Sequence, residues 1–126
     1  MINLLKNRPE VLILGTNSQT TELIKLLNKK YNIIPILFAS RHPTKKFFSS
    51  ARYIFCHQKL LNNKYYITHA ILGIAKSLRG DCRVLLPCTS HFENIIAGDY
   101  DFFENEYIIY KYIDIQKLFT NQTNSK

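Results

Sequence analysis

Gly15, Thr16, Asn17 and Ser18 follow directly on the apolar run Val11–Leu14, placing a glycine, two hydroxyls and an amide within four residues. In a dinucleotide site, glycines at such a turn let backbone N–H groups reach a pyrophosphate at a helix N-terminus. Here Gly15 is the only glycine of that fingerprint, because Asn17 and Thr20 occupy the other two places. Side chains would then stand between backbone and phosphate. Ser40 and Arg41, after the second apolar run, are of the types that hold a 2′-phosphate in NADP sites. A small NADP- or nucleotide-binding protein is therefore one reading. A glycine that merely permits a strand-to-helix turn is the simpler one.

Cys88 and His91, with Glu93 close by, invite a metal or a thiol nucleophile. Zinc needs three or four ligands, and His42, His57 and His69 show no paired spacing. A Cys–His nucleophile also needs a group that orients the base. Catalytic and metal-ligating residues are accordingly assigned to none of these positions. Thr89 beside Cys88 reads more simply as a helix cap. Tyr65 and Tyr66, with Phe102, Phe103, Tyr107, Tyr110 and Tyr112, read as core and interface residues before they read as base-stacking platforms.

The elements that must position these residues are short and regular. Val11–Gly15 reads as a buried strand closed by a glycine turn, and Gln19–Lys30 as a helix with Leu23, Leu26 and Leu27 on one face. Ile33–Ala39 is a second strand, with Pro35 near its start, and Arg52–His57 a third. Tyr65–Leu78 has the 3–4 spacing of an amphipathic helix and stops before Gly80. Val84–Pro87 is the fourth strand, His91–Phe103 a helix, Tyr107–Tyr110 a fifth strand, and Ile113–Phe119 the start of another helix. This alternation predicts an α/β fold: βαβ crossovers, a mostly parallel sheet of about five strands, and helices on both faces. In such a sheet ligands bind beyond the carboxyl ends of the strands, where strand order reverses. The segments Gly15–Ser18, Ala39–His42 and Pro87–His91 are predicted to converge there.

With 126 residues the chain fits one domain, residues 1–119, followed by a polar tail over 120–126. No apolar run approaches the roughly 20 residues of a membrane span. The first ten residues, with Lys6, Arg8 and Pro9, do not form a signal-peptide core. Three cysteines without C-x-x-C spacing read as reduced thiols in a cytoplasmic protein. Residues 1–80 hold 13 basic and 2 acidic side chains, and residues 81–126 hold 4 and 7. The basic half could serve a non-enzymatic interaction or nucleic-acid-binding module. Against nucleic acid, its cations stand singly or in pairs, with no arginine-rich run or basic-aromatic motif.

Taken in order, Val11–Ser18, Ile36–Ser40, Ser50–Ile54, Val84–Ser90 and the stretch from Tyr110 through Asp114–Lys117 resemble the N-terminal, pre-ATP-grasp domain of ATP-grasp carboxylate–amine ligases. The closest branch is that of D-aspartate ligases and carbamoyl-phosphate-synthase-like proteins. The resemblance covers about residues 8 to 118 and rests on the ordered spacing of several elements. His91 stands where the family usually has an acid after the threonine–serine pair, and Ala51 separates Ser50 from Arg52. The resemblance implies a Rossmann-like three-layer sandwich that forms the substrate wall for a carboxylate or amino acid. It further implies that the substrate is activated as an acyl phosphate before an amine attacks. ATP and magnesium would belong to a C-terminal ATP-grasp domain, in cis or lost, so this chain alone carries no cofactor and no catalytic group. The substrate-side residues implied are Gly15, Thr16, Asn17, Ser18, Arg41, Arg52, Thr89 and Ser90. The two arginines would fork a substrate carboxylate while the hydroxyls and Asn17 orient it.

Overall fold

A computed structural model describes residues 9–17, 19–40, 51–78, 82–111 and 114. Its strands are β1 (Glu10–Leu14), β2 (Ile36–Ala39), β3 (Arg52–Phe55), β4 (Arg83–Pro87) and β5 (Ile108–Ile109). Its helices are α1 (Thr20–Tyr31), α2 (Lys64–Ser77), α3 (Ser90–Gly98) and α4 (Tyr100–Glu104), with a 3-10 turn at Gln58–Leu60. The strands form one sheet in the order β3-β2-β1-β4-β5, and every neighbouring pair is parallel. The expected α/β, Rossmann-like sandwich is the architecture observed.

Crossover handedness explains the layering. The step from β1 to β2 runs one way across the sheet, while the steps from β3 to β4 and from β4 to β5 run the other way. With right-handed crossovers, opposite directions require opposite faces. Accordingly α1 covers one face, where Leu23, Ile24 and Leu27 pack on Val11, Ile13, Leu37 and Leu86. On the other face Ile67 and Ile71 of α2, Ile95 and Ile96 of α3 and Phe103 of α4 pack on Leu12, Leu14, Phe38 and Leu85. The central strands are buried on both sides, which is why they read as continuous apolar runs.

Element bounds differ from the sequence reading by a few residues, and three of the differences are instructive. β2 begins at Ile36 rather than Ile33, because Pro35 has no N–H to give the ladder; its carbonyl instead accepts from Arg52 N at 2.8 Å. β3 ends at Phe55, although Cys56 N still donates to Ala39 O at 2.9 Å. The single helix expected over His91–Phe103 is two, broken at Asp99, whose backbone leaves the helical region at φ −132° and ψ 41°. The helix expected at Ile113–Phe119, apart from Asp114, the stop at Gly80 and the polar tail lie outside the described residues. Among the described residues no helix is long and apolar enough to cross a membrane.

Candidate functional site

The reversal of strand order falls between β1 and β4, and the two turns that follow them meet there. Gly15 N donates to Phe38 O at 2.8 Å and Cys88 N to Leu14 O at 2.9 Å, so the ends of β2, β1 and β4 are tied together. Gly15 has φ +83°, and a Cβ at that position would lie 2.8 Å from Thr89 Cγ2 and 3.0 Å from Phe92 Cδ2. A glycine is required here both for the backbone angle and for the close approach of the two turns.

Beyond these ends lies a cleft of about 280 Å³, lined by Gly15, Thr16, Ala39, Ser40, Leu61, Thr89, His91 and Phe92. Phe92 of the lining meets Phe38 edge-on, with ring centroids 6.1 Å apart. Thr89 is the N-cap of α3, its hydroxyl accepting from Phe92 N at 3.4 Å. His91 Nε2 lies 2.7 Å from the carbonyl of Leu61, which holds the loop before α2 against the cleft. With that nitrogen protonated, Nδ1 is left as the acceptor in the neutral ring.

The convergence of the Gly15, Ala39 and Thr89 segments is therefore observed. Of the individual residues expected on the substrate side, Gly15, Thr16 and Thr89 line the cleft. Ser90 is exposed in the first turn of α3 and stays outside the lining. Ser18 and Arg41 lie outside the described residues. Arg52 is a correction. It opens β3 in register with Ile36, so a parallel sheet carries it to the amino ends, opposite the cleft. There its guanidinium lies 3.4 Å from Glu10 Oε1 and is 60% exposed, an ion pair of small energetic weight.

Asn17 is exposed in the same turn as Gly15 and Thr16 but outside the cleft lining, and its side chain makes three hydrogen bonds within the chain. Its Oδ1 accepts from Gln19 N at 2.9 Å and from the Thr20 hydroxyl at 3.1 Å, and its Nδ2 donates to Cys88 O at 2.6 Å. Its own N–H donates to Thr20 Oγ1 at 2.9 Å, and Thr20 N donates to Asn17 O at 3.2 Å. The N–H groups of Gly15, Asn17, Gln19 and Thr20 are thus satisfied within the chain. Leu61, His91 and Phe92 are lining residues that the substrate-side set leaves out. The sequence signal for His91 and Phe92 was their place in the first turn of a helix that starts at the sheet's carboxyl edge.

Cys88 does not face the cleft with His91. It is buried in the α1 side of the core, and burial pushes its thiol from the ordinary 9.0 up to about 12, with a Thr20 hydrogen bond pulling weakly the other way. Almost no thiolate is present at neutral pH, so nucleophilic chemistry at Cys88 is not supported. Cys56 and Cys82 are buried as well. Ellman's reagent is expected to react with none of the three thiols in the native protein within minutes, and with all three in denaturant. The raised value also fixes the sign of a pH effect. Stability held by the protonated native thiol is complete below pH 9 and is lost as pH rises from 9 toward 12. Cys88→Ala should flatten that part of the melting-temperature profile. Among the described residues no group of three His, Cys, Asp or Glu side chains is gathered closely enough to hold a metal ion.

No family model matches the chain, and no curated protein or solved structure shows significant similarity to it.

Proposed function

We propose that this chain is the substrate-side module of an ATP-dependent carboxylate–amine ligase, inactive without an ATP-grasp domain supplied in cis or in trans. The observation that carries the reading is the cleft at the strand-order reversal, whose lining gathers Thr16, Ser40, Thr89 and His91 around Phe92. At about 280 Å³ it suits an amino acid or a small carboxylate better than a dinucleotide. The engaged N–H groups around Asn17 also speak against a pyrophosphate, and with it against the NADP alternative. A carboxylate needs a cation, and with Arg52 at the far end of the sheet, Arg41, next to Ser40 in the chain, is the candidate.

Nitrogen-15 amide spectra of the chain, titrated separately with amino acids, dicarboxylates, NADPH, ATP and duplex DNA, test this directly. Amino acids or dicarboxylates should shift Gly15, Thr16, Ser40, Thr89 and His91 with affinity on the order of 1 mM. Arg41→Ala should weaken that binding at least tenfold. NADPH, ATP and DNA should bind weakly or not at all. Saturable NADPH binding at the same amides, or no response to any carboxylate, would overturn the reading. So would genomic sequence around these 126 codons that offers no ATP-grasp frame, in cis or in a neighbouring gene.

A further inference from the structure

We infer that the groove between α2 and α4 is a self-association surface, filled by the same groove of a second copy of this chain. Two adjoining hollows of about 390 and 320 Å³ run along α2 and share His69, Leu72 and Phe102. They share no lining residue with the cleft at the carboxyl ends. Tyr65, 82% exposed, and Phe102, 61% exposed, stand over this groove. Large aromatic rings left this open beside one another mark a contact surface rather than a solvated one.

The charges beside the groove indicate what fills it. The α2 wall is basic, with Lys64, His69 and Lys76 and no acid along its length. The opposite wall is acidic, with Asp99 and Glu106 in the lining and Asp101 exposed in the first turn of α4, next to Phe102 in the chain. Glu106 is paired with Arg83, and no ion pair joins the two walls across the groove among the described residues. A two-fold axis through the groove sets each basic wall against the partner's acidic wall, making the contact self-complementary. The net charge of +8 opposes association at long range. At physiological salt that repulsion is screened beyond about 8 Å, while pairs in contact persist.

Gly73 adds an independent observation. It sits in the interior of α2, lines the groove, and has nothing within 4 Å of where a Cβ would be. A helical glycine lowers stability relative to alanine, and no contact inside this chain requires one here. Close approach of the partner's acidic wall would require it.

Sedimentation equilibrium of the full chain should show a mass rising with concentration from 14.8 kDa toward twice that value. His69→Glu with Lys76→Glu makes both walls acidic, and Asp99→Lys with Asp101→Lys makes both basic. Each variant alone should remain monomeric, and their equimolar mixture should regain the dimer. Gly73→Ala and Phe102→Ser should each weaken association at least tenfold while circular dichroism shows the fold intact. These two also carry the test should either charge variant fail to fold. A wild-type chain that stays monomeric throughout, a charge variant that dimerises alone, or folded variants that do not recombine would each overturn the inference. Dimer formation indifferent to Gly73→Ala and Phe102→Ser would place the contact elsewhere and overturn it too.

Discussion

Gly15→Val should destabilise the protein by about 2–5 kcal/mol, lowering the melting temperature by roughly 10 °C or more. Two costs combine. A side chain held at φ +83° carries strain of roughly 1–2 kcal/mol. The new Cβ would also overlap Thr89 Cγ2 at 2.8 Å and press on the Phe92 ring at 3.0 Å, and overpacking of this kind costs about 1–3 kcal/mol. Neither neighbour yields easily. Thr89 caps α3, and Phe92 is 3% exposed against Phe38. Relief of the clash would have to part the β1–α1 and β4–α3 turns, which opens the cleft itself. Carboxylate binding should therefore fall further than the loss of stability alone would explain. Gly73→Ala is the contrast, because its Cβ meets nothing. In dilute, monomeric protein it should raise stability by up to about 1 kcal/mol. Thermal melts of both variants check the pair, and a Gly15→Val melt within 1–2 °C of wild type would show that the turns are not packed as described.

Asn17→Ala should cost about 2–3 kcal/mol, read from urea unfolding. It removes the 2.6 Å hydrogen bond to Cys88 O and the acceptor shared by Gln19 N and the Thr20 hydroxyl. Thr20 is 1% exposed, so its hydroxyl cannot turn to water for a new partner. Asn17→Asp separates the donor from the acceptor. The carboxylate keeps the Oδ1 contacts but turns an oxygen toward the Cys88 carbonyl, which disfavours the charged form in the native state. Its folded pKa is thereby raised, so the variant should regain stability as pH falls through the carboxylate range. In the double variant Asn17→Ala with Thr20→Val the loss should be smaller than the sum of the two single losses, because the hydroxyl and its acceptor disappear together. Strict additivity would mean that Asn17 and Thr20 do not act as one clasp.

What the sequence by itself determined is the architecture and the edge at which three of its turns converge. Val11–Leu14 and Val84–Pro87 are apolar at every position because a parallel strand between two helical layers is buried on both faces. Helices alternating with such strands force parallel crossovers, and these bring Gly15, Ala39 and Thr89 to one edge whatever their side chains. Local pattern carries that much because it is set by burial, which repeats along the chain.

Only the tertiary structure decided which polar groups at that edge are open to a ligand. Asn17 stands as a substrate-side residue in the sequence reading, and the fold ties its amide to a carbonyl 71 residues away. His91 looks like a partner for Cys88, but the thiol lies in the core on the α1 face while the imidazole reaches 30 residues back to Leu61. The resemblance implies Arg52 on the substrate side, whereas strand direction places it at the opposite end of the sheet. Hydrogen bonds between residues far apart in sequence leave no period or spacing to read. They depend on the angle at which two turns meet, and that angle is set by packing across the sheet.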